Sequence, residues 1–223
     1  MPQEPRTSAR TLNPEAGEHV ISADAGEQAA AQAATRLSWR EFPYYPKRYG
    51  ERGWRFSLSD SGWLQTLCEL SPDAARAQLL WLSNLLAARG MPRYLMERHL
   101  EHLHAELVSR LPDRASRYDF LRLLAAQLRG IRDATLPASV FANLASAFDE
   151  RTCNCRGAVK NMGTVIVAAV VDDAAGIGTV LTKVTEWAQD SAHFEPEWIR
   201  AVQATIEQAR AALIAPAGSA SVR

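Results

Sequence analysis

The residues from Trp81 to Arg110, WLSNLLAARGMPRYLMERHLEHLHAELVSR, contain the clearest folding signal in the chain. Leucines recur every three or four residues on both sides of a Gly90–Met91–Pro92 corner, which is the spacing of an apolar stripe along a helix. Glycine can adopt the left-handed conformation that caps a helix C-terminus, and proline suits the first turn of the helix that follows. The segment therefore predicts two amphipathic helices packed as an antiparallel pair.

A weaker copy of this pattern occurs between Lys183 and Leu213, where Phe194, Glu195 and Pro196 form the corner. The offset of about 100 residues exceeds the roughly 20–50 residues of a solenoid repeat, so it favours a duplicated half-domain. We predict related halves at residues 59–132 and 136–215. Chance similarity between two pairs of amphipathic helices is the alternative.

The composition is that of an ordinary globular protein rich in helix formers. The chain has 223 residues, of which 47% are hydrophobic and 22% charged, and its formal net charge is zero. Helix-forming residues are abundant and hairpin signals are absent. We therefore predict an all-α fold, with a helical domain of about eight helices at residues 59–215 and a frayed tail at 216–223. The neutral charge argues against nucleic acid as a partner.

Two segments precede the predicted helical domain. Residues 1–36 contain few large apolar side chains, which is typical of disorder, so we predict a disordered tail with a transient helix at residues 23–36. Residues 37–58 are rich in aromatic and basic residues and are interrupted by Pro43, Pro46, Gly50 and Gly53. Because these residues break helices, this segment, the aromatic–basic arm, is predicted to be extended or irregular.

Cysteine usage and hydropathy bear on the cellular location. Cys68, Cys153 and Cys155 are too few for a disulfide framework, and the N-terminal residues contain no hydrophobic targeting segment. The longest apolar run, 165–171, is far shorter than the roughly 20 residues that span a bilayer. We expect a cytoplasmic protein without a membrane span.

The aromatic–basic arm is the leading candidate for a binding site. Arginine forks and aromatic faces together suit phosphates, carboxylates and stacked rings, so the arm is predicted to bind an acidic patch of a partner protein or a small anionic ligand. Alternatively, its rings cover the helical domain while its arginines pair with helix acids. The candidate binding residues are Tyr44, Tyr45, Arg48, Tyr49, Arg52, Trp54 and Arg55.

A weaker candidate is a metal site within the predicted helix that follows Pro92. Glu101 and His104 have the E-x-x-H spacing of di-iron carboxylate bundles, and Glu97 lies on the same side of the helix as Glu101. However, His99 and His104 fall on opposite shoulders of the apolar stripe, and no other helix offers matching carboxylates. A partly solvated helix face with boundary histidines is the alternative.

A second weak candidate is the Cys153–Asn154–Cys155 sequence, in a predicted loop before a helix. A helix N-terminus, together with Arg151 and Arg156, is expected to lower the pKa of these thiols. The pair is a candidate for redox exchange or for binding a soft metal. No second cysteine pair exists to complete a four-ligand zinc site, so two partly exposed thiols without a function are the alternative.

Two aspartates end the apolar run before Gly176 and Gly178. We expect a helix break here, with Asp172 as the N-cap of the next helix and Asp173 in its first turn. In the alternative, one continuous helix places Asp173 on its buried stripe, where a ligand could meet it.

No catalytic signature occurs in the chain, and neither a cofactor nor a reaction is indicated. The leading hypothesis is a non-catalytic interaction or regulatory module that engages a partner protein through the aromatic–basic arm and an adjoining helical groove. The alternative is a helical-bundle enzyme or sensor that binds a small anionic or metal-containing cofactor between its helices.

Overall fold

The computed structural model describes residues 6–214, which form an all-α protein with one small strand pair. This confirms the predicted fold class. The tail predicted at 216–223 lies outside the described residues. The described helices are α1 Ala25–Glu41, α2 Tyr44–Thr66, α3 Pro72–Ala87, α4 Arg93–Arg110, α5 Ala115–Thr135, α6 Ala138–Thr152, α7 Met162–Ala174, α8 Val180–Ala188 and α9 Pro196–Ile214. Short 3₁₀ turns occur at Ala9–Thr11, Leu67–Glu69 and Pro112–Arg114.

The chain divides into two compact units. Within the described residues, the first unit comprises 6–85 and Arg93–Arg129, and the second comprises Leu86–Pro92 and 130–214. The internal repeat stays a prediction. The helix before the Gly90 corner, α3, has 16 residues, whereas the helix before the Phe194 corner, α8, has nine.

The first unit begins with an antiparallel strand pair, β1 Arg6–Ser8 and β2 Val20–Ser22. The segment between the strands folds inward and forms a small core of Ala9, Ala16 and Ile21, against which Trp63 packs. The predicted disorder of residues 1–36 is therefore wrong for residues 6–36. A few small apolar residues are enough to form a core here because Trp63 of α2 packs against them.

Helix α1 also lies where disorder was predicted. The Asp24 side chain caps it by accepting a hydrogen bond from the Glu27 N–H at 2.9 Å, and Ala30, Ala31 and Ala34 are buried. The most extensive helix packing in this unit joins α1 to α4, whose leucines are buried. The predicted antiparallel pairing of the two helices around Gly90 is wrong, because α3 and α4 scarcely touch.

The aromatic–basic arm is helical, contrary to the prediction. Helix α1 extends through Glu41, and α2 begins at Tyr44. Pro43 and Pro46 lie at the start of α2, where the missing N–H of proline removes no helical hydrogen bond. Gly50 interrupts the regular helix with φ 54° and ψ −154°, a conformation that glycine tolerates, and α2 then continues to Thr66.

The predicted cap at Gly90 is confirmed. Gly90 has φ 90°, its N–H donates to the carbonyl of Ala87 at 2.8 Å, and the Met91 N–H donates to Leu86 at 3.0 Å. This pair of bonds is the Schellman arrangement that satisfies the last carbonyls of a helix.

The second unit is built around α7, which packs against α6, α8 and α9. Nearly every side chain of α7 is buried, so the 165–171 run is a core helix. The backbone of α6 approaches α7 at Gly163, where a Cβ atom would lie only 2.2 Å from the carbonyl oxygen of Ala145. Within residues 6–214, no helix combines the length and the apolar character that crossing a bilayer requires.

The helix break near the two aspartates occurs later than predicted. Asp172 is buried within α7 and does not cap the next helix. Gly176, with φ 86°, ends α7 by donating its N–H to the Asp173 carbonyl at 3.0 Å, while the Ile177 N–H donates to Asp172 at 3.0 Å. The break follows the glycine because glycine adopts the left-handed conformation that this second Schellman arrangement needs.

Candidate functional site

The aromatic side chains of the arm are largely inside the first unit. Tyr44 and Tyr45 are buried, and burial raises the pKa of both phenols. Trp39 of α1 stacks on Tyr45 at 5.7 Å between ring centroids and meets the Trp54 ring edge-on at 5.2 Å. The rings therefore hold α1 against α2, and only Tyr49 and Trp54 among the four predicted aromatic residues are partly exposed.

The predicted arginines have protein partners. Arg48 donates to the Tyr44 hydroxyl and lies over the ring of Tyr49 at 5.2 Å. Arg52 Nε donates to Glu15 Oε2 at 2.8 Å, and Arg55 Nη2 donates to Glu15 Oε1 at 3.5 Å. These hydrogen bonds hold the pKa of Glu15 below its usual value, and the bond from Arg52 has the largest effect. Glu15, which pairs with both Arg52 and Arg55, lies between β1 and β2, and Arg55 also pairs with Glu51 of α2 at 3.8 Å.

Exposed Trp81 and partly buried Trp63 form an aromatic pair on the first unit. Trp81 on α3 is 59% exposed, and its ring meets that of Trp63 on α2 edge-on at 6.3 Å. The ring of His19 also meets that of Trp63 edge-on, at 6.4 Å between the ring centroids. Arg52 and Trp63 are about three helical turns apart and share one side of α2. We call these residues, His19, Arg52, Arg55, Trp63 and Trp81, the tryptophan surface.

The tryptophan surface was not predicted, although the sequence contains a signal for it. Trp81 falls opposite the apolar stripe of α3, whose members Leu79 and Leu82 are buried. A tryptophan on the polar side of a helix is an apolar side chain that the core does not use. Its contact with Trp63 depends on tertiary packing and could not be predicted.

His99 lies in a buried group of hydrogen-bonded polar side chains. Its Nδ1 hydrogen-bonds with Ser38 Oγ at 2.9 Å, and its Nε2 hydrogen-bonds with Ser61 Oγ at 2.7 Å. The Ser61 hydroxyl is also 2.9 Å from that of Thr35. Burial, and secondarily His102, lower the pKa of His99 to about 4, so the imidazole is neutral at pH 7. Both ring nitrogens are occupied by hydroxyls.

The hydrogen bond between Ser61 and His99 resembles the pairing of a serine nucleophile with a histidine base, but the serine is not accessible to a substrate. Ser61 is 0% exposed and Ser38 is buried. A nucleophile must reach its substrate, so these hydrogen bonds are suited to joining α1, α2 and α4.

The other predicted metal ligands pair with arginine or aspartate side chains. Glu97 is buried and accepts a hydrogen bond from Arg129 Nε at 3.0 Å, while Glu101 pairs with Arg98 and Arg129. His104 Nε2 is 3.4 Å from Asp119 Oδ1. The structure therefore brings Glu97 and Glu101 to one arginine, but it does not bring His99 and His104 to them.

A buried carboxylate that sequence analysis missed joins three helices of the first unit. Glu27 on α1 accepts a hydrogen bond from the Tyr118 hydroxyl of α5 at 2.5 Å, and its backbone carbonyl accepts one from Gln65 Nε2 of α2 at 2.8 Å. Arg114 Nη1 lies 3.7 Å from the same carboxylate. These partners compensate the burial of the charge and give Glu27 a structural role.

One group of candidate metal ligands converges in the second unit. Among the described residues, Cys155, Glu195 and Glu197 form the only group of three or more such residues whose ligand atoms all lie within 4.8 Å of one another. We call it the thiol–carboxylate cluster. Cys155 is buried and Cys153 is exposed, and none of the three cysteines forms a disulfide bond. The sequence pointed to Cys155 but could not place the glutamates beside it.

The predicted lowering of the Cys155 pKa is wrong. Burial, followed by a hydrogen bond to Glu195 and the charges of Glu195 and Glu197, raises the pKa of the Cys155 thiol. Helix α7 begins only at Met162, seven residues further along the chain than Cys155. The neighbouring groups are carboxylates at the start of α9, which disfavour a thiolate in the absence of a cation.

Comparison of the chain with protein-family models, with curated proteins and with solved structures gives no match.

Proposed function

We propose that this protein is a non-catalytic interaction or regulatory module that binds a partner protein at the tryptophan surface. The observation that supports this most directly is the 59% exposure of Trp81, whose ring rests on Trp63. Tryptophan and arginine are enriched among the residues that contribute most to protein interfaces. A rigid ring loses little conformational freedom when a partner covers it.

The proposed surface shifts the binding residues from the arm rings to the neighbouring arginines and tryptophans. Tyr44 and Tyr45 are buried and therefore do not offer their rings to a partner. The Arg52 side chain is 68% exposed, so it can donate further hydrogen bonds while Glu15 orients it. A partner that places an apolar side chain on Trp81 and a carboxylate or carbonyl near Arg52 fits this arrangement.

The proposal includes a cytoplasmic location. Three cysteines, none of them in a disulfide bond, favour a reducing compartment.

The test is capture of the partner in the native host with full-length tagged protein, cross-linked and quantified by mass spectrometry. The variant is Trp81→Ser, and the matched control is Leu123→Ser, because Leu123 is also exposed, at 66%, on a helix of the first unit. We expect a protein that is enriched by the wild type and by Leu123→Ser and is lost with Trp81→Ser. Equal enrichment by all three proteins contradicts the proposal.

The second candidate function is a helical-bundle enzyme or sensor with a small anionic or metal-containing cofactor. The thiol–carboxylate cluster is the observation that favours it. Native mass spectrometry of protein isolated from its own host tests this function. An added mass that equals a metal ion, or one of a few hundred daltons, supports this function. The mass of the polypeptide alone contradicts it.

A further inference from the structure

We propose that Cys155, Glu195 and Glu197 form a binding site for a thiophilic divalent cation, with Zn²⁺ as the best match. The three residues come from two segments of the second unit, the loop after α6 and the start of α9. The inference does not depend on partner binding at the tryptophan surface, which uses other residues.

The spacing of the ligand atoms fits a single ion. Zinc binds sulfur at about 2.3 Å and carboxylate oxygen at about 2.0–2.2 Å, so neighbouring ligand atoms in a tetrahedral site are roughly 3.5 Å apart. The Sγ atom and the two carboxylate oxygens of the cluster all lie within 4.8 Å of one another. Small side-chain rotations therefore suffice to bring all three ligands onto one cation.

The ligand types distinguish zinc from other common cations. Calcium and magnesium prefer sites made of oxygen atoms alone, and Cu(I) prefers thiolates and thioethers. A thiolate combined with carboxylates is a ligand set that Zn²⁺ accepts. Three protein ligands also leave a fourth position for water, as in zinc sites that act on a substrate.

Backbone hydrogen bonds hold the two segments in place before any cation binds. The Arg156 N–H donates to Glu195 Oε1 at 3.1 Å and so joins the loop to the start of α9. The Cys155 N–H donates to the Thr152 carbonyl at 3.0 Å, and the Ala158 N–H donates to the Cys155 carbonyl at 3.1 Å. Phe194, next to Glu195, stacks on the buried ring of Trp198 at 4.9 Å. The ligands are thus supported by groups that do not themselves bind the ion.

Charge balance favours a cation at this position. With the thiol deprotonated, the cluster has three negative charges, and a divalent cation reduces the total to one. The Cys155 proton passes to solvent as the zinc–sulfur bond forms, and no oxidant or reductant is required. The ion would join the loop after α6 to the start of α9 and stabilise the second unit by mass action.

The test uses the full-length reduced protein, stripped with a chelator and titrated with ZnCl₂ by calorimetry and with CoCl₂ by absorption spectroscopy. Cobalt(II) reports thiolate ligation through a sulfur-to-metal charge-transfer band. We expect one ion per chain and a charge-transfer band that Cys155→Ser abolishes. The matched control Cys68→Ser should keep both, because Cys68 lies in the first unit.

The double variant Glu195→Gln, Glu197→Gln keeps the thiol and the side-chain size but removes both charges. It should weaken zinc binding by at least about tenfold, which corresponds to about 1.4 kcal/mol. If circular dichroism shows that Cys155→Ser does not fold, the double variant still tests whether the cluster binds zinc. Absence of stoichiometric binding to the wild type, or wild-type affinity in the double variant, overturns the proposal.

Discussion

At Gly163 the backbones of α6 and α7 come so close that a methyl group has no room. A Cβ atom at this position would lie 2.2 Å from the carbonyl oxygen of Ala145, and a backbone atom cannot move aside as a side chain can. We expect Gly163→Ala to lower the free energy of unfolding by about 1–3 kcal/mol, the usual cost of overpacking a core. Urea denaturation monitored by circular dichroism measures the change.

The matched control is Gly130→Ala, in α5. A Cβ atom at Gly130 meets nothing within 4 Å, so alanine should stabilise this helix by about 0.4–1 kcal/mol through its better helix propensity. If both substitutions change the free energy of unfolding equally, the close approach of α6 and α7 is not as described.

His99 is expected to make the stability of the protein depend on pH. Its pKa is lowered to about 4 in the fold from a usual value of 6.5, so between these values the unfolded chain binds more protons than the folded chain. Stability should therefore fall as the pH drops from 6.5 towards 4, by about 3 kcal/mol in total, and should not change through this group above pH 6.5. The charge of His102 also lowers the pKa of His99, and His102 is itself hydrogen-bonded to Glu41 at 2.5 Å.

The measurement is urea denaturation of wild type and His99→Gln at several pH values between 4 and 7. Glutamine can hydrogen-bond with Ser38 and Ser61 but cannot titrate, so the variant should show a flatter pH dependence. His193→Gln is the control, because His193 is 65% exposed. A His99→Gln curve parallel to that of the wild type contradicts the account of His99.

Helix α1 shows how small residues can form a core element. Its buried apolar positions are Ala30, Ala31 and Ala34, and these small residues allow α1 to lie close to the leucine-rich face of α4. Periodic leucines therefore predicted α3 and α4 correctly, whereas the alanines of α1 resembled the composition of a disordered tail. The difference lies in the partner, because an alanine face is buried only when a larger apolar face covers it.

Ala34→Leu tests this packing. Ala34 is 0% exposed, and a leucine there would push α1 away from its neighbours, so we expect a loss of about 1–3 kcal/mol in the free energy of unfolding. Gln32→Leu is the control, because Gln32 is exposed on the same helix and its replacement should have little effect. Equal, small effects of both substitutions in urea denaturation would indicate that α1 is not docked.

The helix-breaking residues illustrate what local sequence can predict. Gly90 and Gly176 end helices, as expected of glycines that adopt positive φ. Pro43, Pro46 and Gly50 led to the wrong prediction for the arm, because the prolines lie where a helix starts and the glycine only bends α2. The residue types were informative, but their positions relative to the helix ends depended on the packing of α1 and α2.

The candidate sites depend still more on tertiary structure. The spacing of Glu101 and His104 suggested a metal site, but the partners of these residues, Arg129 and Asp119, come from α5. Cys155 was a candidate from sequence, whereas Glu195 and Glu197 are far along the chain and become ligands only because α9 starts beside the loop. Local spacing identifies the residue types of a site, and packing decides which of them meet.

Each of the two units has its own core and its own candidate site. The first has the tryptophan surface and the buried chain around His99, and the second has the thiol–carboxylate cluster. The formal net charge of the chain is zero, and many of its charged side chains form ion pairs, such as those of Glu15 with Arg52 and Arg55. Recognition is therefore proposed to depend on an aromatic anchor rather than on overall charge.

The measurement that tests the central claim most directly is the dissociation constant of the captured partner, reconstituted from purified proteins and measured by calorimetry. Trp81→Ser should weaken binding by at least about 2 kcal/mol, roughly 30-fold, as expected for an anchor residue at the centre of an interface. Leu123→Ser should bind within about twofold of the wild type, since surface substitutions outside an interface have small effects. Equal dissociation constants for the wild type and Trp81→Ser would show that the tryptophan surface does not bind the partner.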